Sequence, residues 1–135
     1  MSKHPPPWVS HYIGRPFDPS SWHCWELCRQ LAADHLGMNW PSFAWAEGDA
    51  RAAEIHRQSS LWREIFNRDM FLNGAGGETL GDVAVIRQGR WCGHVGMVVA
   101  DGLVIHVEGG MGTALIKMRS AEWRRRIEGV YRWIG

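Results

Sequence analysis

The chain has 135 residues, 45% of them hydrophobic and 21% charged, which is the size of one compact domain and enough apolar material for a packed core. A formal net charge of +1 gives no reason to expect nucleic-acid binding, and three cysteines cannot all pair within one chain, so a disulfide scaffold is excluded. The N-terminus, Met-Ser-Lys-His-Pro-Pro-Pro-Trp, lacks the apolar stretch of a secretory signal, and no apolar run approaches the ~18 residues of a membrane helix. The expectation is one domain over residues 1–135, made in the cytoplasm without a signal peptide and not inserted in a membrane.

Residues 1–22 form a proline-rich arm, with Pro5, Pro6, Pro7, Pro16 and Pro19 ruling out a long helix. From Cys24 the apolar positions Cys24, Leu27, Cys28 and Leu31 follow helical spacing, and Gly37 supplies a stop, so a helix is predicted over 23–37. Ala52, Ala53, Ile55, Leu61, Trp62, Ile65 and Phe66 are compatible with a second helix. Beyond Gly81 short Val- and Ile-rich runs predict strands at 83–87, 95–99, 103–107, 113–118 and 130–134. Helices followed by strands make the α+β pattern, N-terminal helices packed on an antiparallel meander that occupies residues 81–135.

Cys24 falls in the first turn of its helix, where unpaired N–H groups and the helix dipole favour a thiolate. A lone cysteine is equally a small buried hydrophobe, so a cationic partner is needed to make it a nucleophile. The segment from Gly93 to Val107 reads as a hairpin turning at Asp101-Gly102. Parity decides whether its histidines meet: a two-residue turn sets Met97 opposite His106, whereas a three-residue loop over Ala100 to Gly102 places His94, Gly96, His106 and Glu108 on one face. In the second register the two imidazoles are diagonal neighbours, roughly 7 to 8 Å apart at the backbone and able to act as a base and its orienter. Gly96 between them would let the Cys24 helix terminus approach.

Three blocks resemble the NlpC-type peptidoglycan endopeptidases, small papain-like cysteine peptidases, and in particular those carried by bacteriophage tails. Tyr12-Ile13-Gly14-Arg15-Pro16-Phe17 and His23-Cys24-Trp25-Glu26-Leu27 are similar to the family's arm and nucleophile helix. Gly81-Asp82-Val83, Gly93-His94-Val95-Gly96-Met97-Val98 and Ile105-His106-Val107 are similar to its histidine strands, with the two histidines twelve residues apart. The stretch from Trp123 to Arg132 looks like the closing segment of tail-associated members, and residues 40 to 75 have no counterpart. The resemblance implies a papain-like NlpC-type fold in which Cys24 is the nucleophile, His94 the general base and then acid, and His106 the residue that orients His94. It implies no cofactor and no metal, with the stem peptide of peptidoglycan as substrate, typically cut between D-glutamate and diaminopimelate. A virion tail tip, with its baseplate or hub proteins as partners, would deliver the domain to the cell wall.

The chain departs from the family at His23, where aspartate is usual, at Glu26, where glycine is usual, and at Phe17, where many members carry a tyrosine that helps the oxyanion. A weaker helix cap and a bulkier, more acidic pocket floor are the expected consequences, with Tyr12 the nearest substitute hydroxyl and Glu108 a further substrate-site candidate. Two other readings use the same residues. Cys24, Cys28, Cys92 and His94 make an unusually spaced zinc set. Nine tryptophans and the Arg124 to Arg126 run suit a structural tail component, the arginines being otherwise a solvated face.

Overall fold

The computed structural model describes residues 3–42, 50–88 and 91–135. Its frame is a sheet of six antiparallel strands: β1 (Trp62–Asn67), β2 (Val83–Gln88), β3 (Trp91–Ala100), β4 (Leu103–Glu108), β5 (Gly112–Lys117) and β6 (Ile127–Trp133). They lie in the order β1-β6-β2-β3-β4-β5. One long helix, α1 (Cys24–Leu36), accompanies them, with α2 (Ala50–Arg57) and α3 (Arg68–Leu72) much shorter. Among the described residues no helix is long and apolar enough to cross a membrane.

This architecture overturns the expected papain-like NlpC-type fold. The molecule is mainly one antiparallel sheet with few helices, and the sheet is not a simple meander, because the last strand β6 returns to pair between β1 and β2. The apolar run 52–66, compatible with one helix in the sequence, also departs from expectation. Its first part is helical, but the chain turns at Leu61, whose N–H bonds to the Gln58 carbonyl at 2.8 Å, and Trp62 and Phe66 enter strand β1 against β6. Aromatic and β-branched residues fit a pleated, half-buried surface. A bulge between Glu64 and Phe66 then sends Trp62 and Phe66 to opposite sides, a pattern that imitates helical spacing in the sequence.

Both faces of the sheet are covered, so β2 reads as a continuous apolar run rather than an alternating one. On one face Leu27, Cys28, Leu31 and Ala32 of α1 pack on Val83, Val85, Val95, Met97, Ile105 and Val107. On the other, Phe66 and Phe71 close over Ala84, Ile86, Val98, Val104, Ile127 and Val130. Each fully buried aliphatic side chain contributes about 1.5–3 kcal/mol. Trp25, Trp40, Trp62 and Trp133 pack ring on ring beside α1, with Trp40 and Trp62 centroids 4.8 Å apart and Trp62 and Trp133 5.1 Å apart. Among the described residues, Trp22, Trp25, Trp40 and Trp62 belong to the core.

α1 ends where expected, at Gly37 with a left-handed φ of 66°. The arm before it is stitched to β5: the Gly14 N–H donates to the Thr113 carbonyl at 2.8 Å, and the Thr113 N–H to that of Arg15 at 2.9 Å. Trp22, 1% exposed, adds an indole N–H bond to Thr113 Oγ1 at 2.8 Å. These bonds bring Phe17 and His23 to the β4–β5 end of the sheet.

Two buried carboxylates clamp the connections. Asp82 is held by Arg132 through two bonds of 2.9 Å, and Glu78 by Arg119, with one bond of 2.8 Å, and by the Gly102 N–H at 3.0 Å. Burial pushes the Glu78 carboxyl up, but the Arg119 guanidinium and the backbone donors outweigh it and hold it below the ordinary 4.5. A carboxyl depressed in this way stabilises the folded chain fully above that value, and the contribution is lost as pH falls through the lower folded value. Urea unfolding of wild type and Glu78→Gln should accordingly differ by about 1–3 kcal/mol at pH 7, and the two curves should converge under acid; a gap that does not change with pH would contradict the assignment.

Candidate active site

Cys24 is the first residue of α1 and is 6% exposed. His23 caps the helix in an extended conformation, its Nδ1 accepting from the Glu26 N–H at 3.4 Å, a long bond, while its carbonyl accepts from Leu27 at 2.9 Å. The expected acidic floor is not there. Glu26 pairs with Arg29 at 2.9 Å and faces a separate depression shared with Gln30 and Asn39, so its charge is balanced away from the cysteine.

The histidines come from adjacent strands. Met97 pairs with Ile105 and Val98 with Val104, the parity that puts His94, Gly96, His106 and Glu108 on one face. The means differ from the expected three-residue loop: Ala100 pairs with Leu103 across the two-residue turn Asp101-Gly102, and an irregularity between Val98 and Ala100 restores the parity. His94 Nε2 and His106 Nδ1 lie 2.8 Å apart in one hydrogen bond, with the rings nearly perpendicular at 75°. Gly96 has a different task from the one expected. A Cβ there would meet Val104 Cγ1 at 2.5 Å and the Ile105 carbonyl oxygen at 2.8 Å, so the glycine permits the close approach of β4, not of α1.

His106 is 5% exposed, and the Trp123 ring stands edge-on to it with centroids 5.2 Å apart. Burial lowers the His106 imidazole below its ordinary range, with the Arg126 charge adding to this and Glu108 opposing it. A neutral His106 can present Nδ1 as an acceptor to a protonated His94. Glu108 Oε1 is 3.8 Å from both His94 Nε2 and His106 Nδ1, accepts from Gln88 Nε2 at 3.0 Å and lies 3.6 Å from Arg126.

α1 packs on the face of the sheet that carries Val95, Met97, Ile105 and Val107, while the histidines belong to the opposite face with Val98 and Val104. Cys24 and His94 nonetheless line one cleft of about 350 Å³, together with Phe17, His23, Gln88, Val107 and Glu108. Phe17, 38% exposed, offers an apolar wall and no hydroxyl. Tyr12 does not line the cleft: its hydroxyl is bonded to His35 Nε2 at 2.7 Å near the far end of α1, and its ring stacks on Trp22.

Gln88, Trp123 and Arg126 belong to this neighbourhood and were not singled out as site residues by the sequence. Gln88 has no motif signal. Arg126, expected on a solvated face, lies over Trp123 at 4.1 Å and donates to the Arg87 carbonyl at 2.9 Å, so its run of three arginines conceals one that is held in place. Among the described residues, Cys24, Cys28 and His94 of the sequence-derived zinc set do not come together as a ligand group. Cys28 is fully buried in the packing stripe of α1, and the side chain of Cys92 lies outside the described residues.

No protein-family model matches the chain, and no curated protein matches it.

The arrangement offers a thiol at a helix N-terminus and a buried imidazole pair along one cleft, which is the equipment for acyl transfer to sulfur. Brief iodoacetamide treatment of the folded protein at pH 7, read by peptide mass spectrometry, should alkylate Cys24 at least about tenfold faster than Cys28. His94→Ala should slow the Cys24 reaction. Equal rates at the two cysteines, or no effect of His94, would sink this pairing.

Proposed function

We propose that the chain is a cysteine endopeptidase that hydrolyses amide bonds in the stem peptides of peptidoglycan. The observation that carries the reading is the 2.8 Å His94–His106 bond beside a cleft that Cys24 also lines. The local likeness of residues 12–17, 23–27, 93–98 and 105–107 to the NlpC-type peptidases supports the substrate class, whereas the architecture of the sheet gives it no support.

The residues suit the following sequence of steps. Because His94 Nε2 is engaged by His106, proton exchange with Cys24 runs through His94 Nδ1. Nδ1 takes the thiol proton, and the thiolate attacks the amide carbonyl carbon. The oxyanion is stabilised by the N-terminal end of α1, where first-turn N–H groups have no carbonyl of their own helix to meet. His94 gives its proton to the leaving amine as the C–N bond breaks, leaving a thioester on Cys24. Water then attacks the thioester while His94 accepts its proton, and the carboxylic acid and the thiol are released. Throughout, His106 holds the His94 ring by its second nitrogen, an uncharged counterpart of the aspartate in serine peptidases.

The cleft walls match an extended, mixed-polarity chain: Phe17 and Val107 are apolar, and Gln88 and Glu108 are hydrogen-bonding. A phage-like tail tip, with its hub or baseplate proteins as partners, is the setting in which such an activity would open the wall locally during genome delivery.

Digestion of purified diaminopimelate-type peptidoglycan, with products read by mass spectrometry, tests the proposal. Wild type should release new stem-peptide ends and Cys24→Ala none, while His94→Ala should lower kcat by about 10²–10⁴. No product from a folded wild-type protein would move the assignment to a structural tail component.

A further inference from the structure

We propose that His94 Nε2, His106 Nδ1 and Glu108 Oε1 form a site for one divalent transition-metal ion, with zinc the best match, and that the ion acts as a reversible off-switch for Cys24. Binding stands on this geometry alone; only its consequence for Cys24 rests on the hydrolase reading.

The three ligand atoms lie within 4.8 Å of one another, at separations of 2.8, 3.8 and 3.8 Å. Tetrahedral zinc with bonds of about 2.0–2.2 Å sets its ligand atoms about 3.3 Å apart. The observed separations bracket that value. Seating the ion would open the imidazole pair by about half an ångström, bring the carboxylate closer by the same amount and turn both ring nitrogens off their shared hydrogen-bond axis toward the metal. The donors stand on adjacent strands of a sheet covered on both sides, with His106 and Glu108 two residues apart on the same face, so the scaffold is rigid.

The donor set selects the metal. Two imidazole nitrogens and one carboxylate suit zinc and its neighbours, whereas calcium and magnesium require oxygen ligands. The His94 and His106 side chains are only 4% and 6% exposed, and the Glu108 carboxylate supplies a charge opposite to the ion's. Gln88 and Arg126 approach the same Glu108 oxygen, at 3.0 and 3.6 Å, and must yield. That competition weakens binding and suits an ion that comes and goes. The cleft offers room for water as the fourth ligand.

Occupancy changes His94 chemically. With the metal on Nε2, a neutral imidazole carries its proton on Nδ1 and cannot accept one from Cys24 there. The bond to His106 is also replaced. The base is lost while the fold remains.

Chelator-stripped protein titrated with zinc against a chromophoric chelator gives the test, with circular dichroism confirming that each variant folds. Wild type and Cys24→Ala should each take up one zinc per chain. Glu108→Gln and His106→Ala should bind about tenfold or more weakly. Absence of stoichiometric uptake, or uptake unchanged in both variants, would overturn the site. Zinc uptake without any peptidoglycan digestion by the stripped wild type would retain the site and remove the hydrolase; digestion without uptake would do the reverse. Digestion that continues undiminished at saturating zinc would overturn the switch.

Discussion

Two buried imidazoles hydrogen-bonded to each other, His94 to His106 at 2.8 Å, set the conditions for the rest of the candidate site. A buried ring nitrogen without a partner is costly, and a buried imidazolium more so, so the pair depends on the two strands holding their register. Gly96 allows the strands to approach, and Trp123, carrying Arg126 on its face, closes over His106. The same burial lowers the His106 imidazole and so favours its neutral form, which can present Nδ1 as an acceptor.

Cys24 and His94 reach the cleft from opposite faces of the sheet. This places a demand on the sheet, which must be firm enough to fix two elements that do not pack face to face. Continuous apolar strands covered on both sides meet it, as does the arm bonded to β5 through Thr113. The tryptophans beside α1 serve the same end by fixing the helix that begins with Cys24. The long His23 cap and the Glu26–Arg29 pair show how this helix start adapts without an aspartate cap or a nearby glycine.

Much of this was legible in the amino-acid order. The hydrophobic spacing of α1, its glycine stop and the strands from Val83 onward are local signals, and the structure places those elements within a few residues of expectation. Parity left two registers for His94 and His106; the turn is the two-residue one, and only the irregularity between Val98 and Ala100, which has no sequence signal, brings both histidines to one face. What escaped was non-local. Trp62 to Phe66 looked helical because a bulge in β1 spreads its aromatic residues over both faces, and no local rule tells the last strand to return between β1 and β2. The papain-like architecture came from local likeness in short blocks, and short blocks do not determine how the strands of the sheet are ordered. Gln88 carries no motif, the block containing Arg126 gave no site role, and only the packed chain brings the two to Glu108. Tyr12 was singled out by its nearness to Phe17 in sequence, yet its bond to His35 commits it to the far end of α1.

The most direct test of the account is whether Cys24 and His94 form one chemical unit across the cleft. Nitrogen-15 NMR of the imidazole rings at neutral pH, before and after alkylation of Cys24, measures this. The account predicts that the His94 ring nitrogens shift on alkylation while His106 keeps an unprotonated Nδ1 facing its partner. His94 resonances indifferent to the state of Cys24 would contradict it.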